Sequence, residues 1–127
     1  MSDLNSKHNR VVWVEVPVAD LARAAAFYAG VLAIEVSVDS FEGFEFGVLE
    51  HSEGNGGCLV PAPDKIAADG PLVYMNANGR IRDAVGKVAA LGGQVVEDVH
   101  QIGPHGCRAL VRDSEGNLIA LHSETDA

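Results

Sequence analysis

Ser52-Glu53-Gly54-Asn55 returns as Ser114-Glu115-Gly116-Asn117, 62 positions further along the chain (114 − 52). The flanks repeat as well. Val12-Trp13-Val14-Glu15-Val16 opens the first half and Leu72-Val73-Tyr74-Met75-Asn76 opens the second, and a helical pattern follows each. A period of about half the chain means two copies of one supersecondary unit, each too small to bury its own apolar face. Such a pair places equivalent strands around a shared concavity, where a ligand would sit.

Working outward from the first turn, Val12, Val14, Val16 and Val18 alternate with Trp13, Glu15 and Pro17, the period of a strand with one apolar face. Asp20 is suited to cap the free amides of a helix. Leu21, Ala24, Ala25, Tyr28 and Leu32 then recur at helical spacing, which predicts a helix to about Gly30. Strands are expected over 33–38 and 44–49, joined through Asp39-Ser40 and Gly43, then a Gly-rich turn over 51–57 and a short strand over 58–60. The stretch 61–70, with Pro61 and Pro63 among small polar residues, reads as an irregular linker.

The second half keeps the order. A strand is expected over 72–77, and Ile81, Val85, Val88 and Leu91 form a helical stripe that stops at Gly92-Gly93. A strand over 94–98, a loop over 100–106 around Pro104, and a hairpin of 107–112 and 118–122 closed by 113–117 complete it. Each half is strand, helix, strand, strand, strand: an α+β chain with a helix on one face of each sheet. The bounds are about 10–60 for the first module, 61–70 for the linker and 71–123 for the second, within one domain. Residues 1–9 read as a short, mobile polar tail.

Bulk composition narrows the partners. A chain of 127 residues that is 47% hydrophobic can build one real core. Nine Lys and Arg against 18 Asp and Glu give a net charge of −9, which repels nucleic-acid phosphates and anionic membrane surfaces. No run reaches the roughly 18 apolar residues of a membrane span, and the polar stretch from Met1 to Arg10 has no export-signal core. Cys58 and Cys107 form no disulfide framework and are expected to be reduced thiols. The expectation is an acidic cytoplasmic protein.

Val16-Pro17-Val18-Ala19-Asp20-Leu21, Ala26-Phe27-Tyr28 and Val31-Leu32 together resemble the first module of the vicinal oxygen chelate superfamily. Asp113-Ser114-Glu115-Gly116-Asn117-Leu118-Ile119 resembles its closing hairpin, and Gly92-Gly93 the end of its second helix. That superfamily includes glyoxalase I, bleomycin-resistance proteins and ring-cleaving dioxygenases. The resemblance, over about 10–123, implies two tandem βαβββ modules forming a concave cup, and a homodimer in which the partner completes the cup. It also implies four divalent-metal positions, which fall on Trp13, Cys58, Leu72 and Ala120. Family enzymes hold His, Glu or Gln there. Three of these side chains offer a metal no lone pair, and one thiolate does not hold a hard divalent ion. No cofactor is therefore expected, and a divalent metal on displaced ligands is the alternative.

Strand alternation extends the cup. Glu15 shares a face with Trp13, Tyr74 and Asn76 share one with Leu72, and His122 shares one with Ala120. The expected ligand contacts are Trp13, Cys58, Leu72, Tyr74, Asn76 and Ala120, with Trp13 stacking on a small planar or cationic molecule. Glu15 and His122 are the candidates for proton transfer if the protein is a lyase or isomerase. His51, His100 and His105 lie in loops and supply the alternative metal donors, with Glu15 or His122. The segment Ile102 to Gly106 reads as a lid.

Overall fold

The computed structural model describes residues 9–127; the polar stretch 1–8 lies outside them. The first module runs β1 (Trp13–Val18), α1 (Leu21–Leu32), β2 (Val36–Phe41), β3 (Phe44–Leu49), β4 (Gly56–Pro61). The second runs β5 (Val73–Asn76), α2 (Ile81–Val88), β6 (Gln94–Gln101), β7 (Cys107–Arg112), β8 (Leu118–Ser123). The sheets have the same strand order, β1-β4-β3-β2 and β5-β8-β7-β6, with the outer pairs β1/β4 and β5/β8 parallel. Parallel neighbours need a crossover, and in each module the helix and a hairpin supply it. Register preserves the repeat: Glu15 lies opposite Cys58, and Tyr74 opposite Ala120.

Each helix covers one face of its own sheet, and the two helices pack on each other. Val16, Val18, Leu49 and Leu59 meet Phe27, Tyr28 and Val31 beneath the first sheet. Met75, Val111, Ile119 and Leu121 meet Ile81, Ala84 and Val88 beneath the second, and one core joins them. Close approach of the modules needs small residues. A Cβ on Gly30 would come within 2.4 Å of Leu91, and one on Gly93 within 2.4 Å of the Arg112 carbonyl oxygen and 2.7 Å of Phe27. Among the described residues no helix is long and apolar enough to cross a membrane.

Several boundaries differ from the sequence reading. The first helix continues past Gly30 to Leu32 and ends at Ala33, whose left-handed φ of 55° supplies the stop expected from the glycine. The second strand passes through Asp39 and Ser40 to Phe41, because the turn forms at Glu42-Gly43, both with positive φ. The 61–70 stretch contains a single 3-10 turn, Pro63–Lys65, where proline at the first position fits the tight φ. The sixth strand reaches Gln101 and not Asp98, its length accommodated by two register shifts against β7. Leu91 lies beyond the end of α2 and packs in the turn that follows.

The repeated turns share a hydrogen bond and little else. Gly54 N–H donates to the His51 carbonyl at 2.9 Å, and Gly116 N–H to the Asp113 carbonyl at 3.2 Å. In the second turn the buried Asp113 carboxylate also accepts from the amides of Glu115, Gly116 and Asn117, from Asn117 Nδ2 and, at 2.6 Å, from Tyr28 Oη of α1. Burial, then the Asp113 charge, pushes the Tyr28 phenol well above its usual range, so it stays a donor. Glu115 reaches the first module, accepting from the amides of Ala19 and Asp20 and from the guanidinium of Arg23. Asn117 donates to the Pro17 carbonyl at 2.8 Å. This second turn therefore ties the modules together.

Candidate functional site

The helices cover only one face of each sheet, so the other face of each is open. On the first sheet, alternation puts Trp13 and Glu15, Cys58, and Phe44 and Phe46 on that face, with Phe41 opposite Phe44. Three of the chain's four phenylalanines and its only tryptophan are thus outside the core. Phe41 is 69% exposed and Phe44 48%. An aromatic face left uncovered by its own module is an exposed apolar patch of the kind that marks candidate interaction sites. Trp13 is oriented: its Nε1–H donates to Cys58 Sγ at 3.4 Å, and its ring stands edge-on to His51 at 5.5 Å. Burial, against the Trp13 hydrogen bond, and then the Glu15 charge raise the Cys58 thiol above its usual range. Cys58 is therefore a protonated partner for the indole and a poor nucleophile.

The open face of the second sheet is polar. His100, Arg108, His122 and Asn76 form one cross-strand row through all four strands. Arg108 Nε–H donates to His100 Nε2 at 3.2 Å, and Arg108 Nη1 donates to Tyr74 Oη at 2.7 Å. His100 Nδ1–H donates to the Asp98 carbonyl at 2.8 Å, which leaves Nε2 as the lone-pair nitrogen that Arg108 meets. His122 Nε2–H donates to the His105 carbonyl at 2.7 Å, and its ring lies 6.2 Å from that of Tyr74. Tyr74, Ile102, His105, Arg108 and His122 line a solvent-open pocket of about 480 Å³.

The structure thus sorts the sequence-derived residues into two groups. Trp13, Glu15 and Cys58 stand on the first sheet; Tyr74, Asn76, Ala120 and His122 on the second, with Leu72 just before β5. No hydrogen bond, ion pair or ring contact joins the groups among the described residues, and the pocket draws only on the second. Glu15 and His122 therefore do not act on one another within a chain. Ile102 and His105 form a wall of the pocket, in a segment closed by Ile102 N–H donating to the Gly106 carbonyl. His51 lies beside Trp13, away from His105 and His122.

Arg108 is the residue that sequence reasoning missed. The signal was present: alternation through 107–112 puts Arg108, Leu110 and Arg112 on the face opposite Cys107, Ala109 and Val111, and the closing turn sets Arg108 against His122. Without the fold, an arginine on a strand reads as a solvated charge.

The four positions where the resemblance implies a metal do not fit one. Ala120 is fully buried, and Trp13 and Leu72 carry no donor lone pair, which leaves the Cys58 thiol alone. Among the described residues no three His, Cys, Asp or Glu side chains gather as a metal site.

Comparison with known proteins places this geometry. Residues 10–121 match the model of the Glyoxalase/Bleomycin resistance protein/Dioxygenase superfamily. No curated protein sequence matches the chain. Among solved structures, a glyoxalase/bleomycin resistance protein from Albidiferax ferrireducens is 18% identical with a TM-score of 0.70, over 91% of this chain and 99% of that one. An antibiotic binding protein from a Streptomyces species is 18% identical with a TM-score of 0.69, over 91% and 95%. The genomically encoded fosfomycin resistance protein of Listeria monocytogenes is 14% identical with a TM-score of 0.68, over 91% and 93%. At such identities the likeness establishes the fold. The two βαβββ modules and the match across both of them make this chain a member of the glyoxalase/bleomycin resistance/dioxygenase superfamily.

Proposed function

We propose that this protein binds a small planar organic molecule against the open faces of its sheets, without a metal at the four family positions. One observation carries the reading. The positions that would ligate a metal hold indole, thiol, isobutyl and methyl groups, and around them the first sheet exposes an oriented aromatic wall. Indole and phenyl faces reward flat apolar ligands, and a few placed polar groups orient them. The Streptomyces relative, named as an antibiotic binding protein, supports binding as a use of this scaffold.

The reading includes a homodimer. The first sheet's open face carries Glu15 and Asp39 among its aromatic residues, and the second carries Arg108, Arg112 and two histidines together with Glu97. Pairing the first sheet of one copy with the second of another would cover exposed Phe41, Phe44 and Tyr74 and bring the two half-sites together. The cytoplasm, where the free thiols Cys58 and Cys107 stay reduced, is the setting.

The test is a thermal-shift screen of planar aromatic compounds against chelator-treated protein. A ligand present at 100 times its Kd should stabilise the fold by about 2.7 kcal/mol, and Trp13→Ala should reduce the shift. Stabilisation that appears only when manganese, nickel, zinc or iron is restored would refute the metal-free reading.

A further inference from the structure

Arg108 is held in place by neutral groups. Arg23 pairs with Glu115, Arg80 and Lys87 with Asp83, and Arg82 with Asp126. Among the described residues no carboxylate pairs with Arg108, although acids outnumber bases 18 to 9 in the chain. Its guanidinium is fixed by the lone pair of His100 Nε2 and by the oxygen of Tyr74. His100 is itself fixed in that tautomer by its bond to the Asp98 carbonyl. An imidazole that accepts from a guanidinium is neutral, so this support leaves the positive charge uncancelled.

The rest of the pocket continues the pattern. Tyr74 Oη accepts from Arg108, which leaves its own proton to donate. The guanidinium keeps N–H groups beyond the two in use, in a planar fork matched to a carboxylate. His122 already donates to the His105 carbonyl and so fixes the wall formed by that segment. Ile102 supplies an apolar side. An oriented cation, a phenol proton and an apolar wall, with no acidic side chain among the described residues lining the cavity, suit a negatively charged oxygen group on an apolar body.

We infer that Arg108 and Tyr74 form a carboxylate-binding subsite, so that the bound molecule is an aromatic or other apolar acid, its charge on the second sheet. This rests on the small-molecule reading above and adds the ligand's charge. It runs against the acidic balance of the chain, which favours cations at long range; at contact distance the oriented guanidinium decides.

The probes are naphthoate, its amide and naphthylmethylamine, which share one ring system and differ in charge. They are titrated into the full chain by calorimetry, with wild type, Arg108→Gln, Tyr74→Phe and, as a control on net charge, Arg23→Gln. Naphthoate should bind at least about tenfold more tightly than the amide, the difference a charge-assisted hydrogen bond makes. Arg108→Gln should abolish that preference. Tyr74→Phe should reduce it, and Arg23→Gln should preserve it. Equal binding of acid and amide, tighter binding of the amine, or an acid preference that survives in Arg108→Gln would overturn the inference while leaving the small-molecule reading intact. Binding of none of the three would overturn the inference, and the thermal-shift screen would decide the broader reading separately. Circular dichroism of each variant excludes loss of fold as the cause.

Discussion

The two sheets are built on one plan and finished with opposite chemistry. Strand order, helix cover and register match, down to Glu15 opposite Cys58 and Tyr74 opposite Ala120. Yet the first open face is aromatic with scattered acids, and the second is a row of histidine, arginine, histidine and asparagine. The buried faces had to stay alike, because each must pack on a helix. The open faces were free to diverge, and divergence there separates a stacking wall from a polar anchor. The turns differ in the same way. His51 leads the first repeat and closes it locally through Nδ1–H to the Gly54 carbonyl, whereas Asp113 leads the second and is buried, and that second turn reaches the other module.

The sharpest way to break this comparison is at the turns. Asp113→Ala takes the acceptor from Tyr28 Oη and from the amides of Glu115 and Asn117, and one of two acceptors from Asn117 Nδ2 and the Gly116 amide, and should destabilise the fold by about 3–5 kcal/mol. His51→Ala, at the same point of the first repeat, should cost under about 1 kcal/mol. Urea unfolding of both variants checks this, and equal costs would show that the turns are equivalent after all.

Glu115 gives the next largest effect. Burial works to raise its pKa, but the hydrogen bonds from Arg23, the Asp20 amide, Ser114 and the Ala19 amide outweigh it and hold the carboxyl at about 2. A carboxyl with a depressed folded pKa stabilises fully above its ordinary value near 4.5 and loses that contribution as the pH falls toward 2. Glu115→Gln should therefore cost about 1–3 kcal/mol at neutral pH. The gap to wild type should narrow between roughly pH 4.5 and 2. A gap independent of pH in urea titrations would show that the charge is not what joins the modules.

Much of this was legible in the sequence, for a physical reason. Alternation of valines in 12–18 and the apolar stripe of 81–91 report burial against a helix, and burial is what local pattern encodes. The repeated Ser-Glu-Gly-Asn fixed the spacing of the last strands. The site was legible only in part. Trp13 and Cys58 came from the family resemblance, and Tyr74 and His122 from alternation off its positions; the structure sets each pair in contact. Their separation onto two sheets, and the pairing of β5 with β8 and of β6 with β7 that brings Tyr74 and His100 to Arg108, depend on contacts distant in sequence, which no local pattern records. Gly43 lay in the expected connection and does form the turn, but Asp39-Ser40, placed in it for their turn composition, pair with β3 instead.

Smaller effects sharpen the contrast of the open faces. Trp13→Ala should weaken binding of a planar ligand about tenfold while lowering stability by at most about 1.5 kcal/mol. Calorimetry beside urea unfolding checks it, and a large loss of stability with unchanged affinity would make the indole a core residue. Phe41→Ser should shift monomer stability by under about 0.5 kcal/mol and weaken self-association, read by light scattering across a dilution series. Unchanged association would remove that aromatic edge from the dimer interface.

The most direct test of the central claim is elemental analysis of the untagged, freshly purified protein, paired with titration of a planar ligand before and after chelation, read by Trp13 fluorescence. The account predicts far less than one metal ion per chain and the same affinity in both titrations. One divalent ion per chain, with binding lost on chelation and restored by that ion, would contradict it.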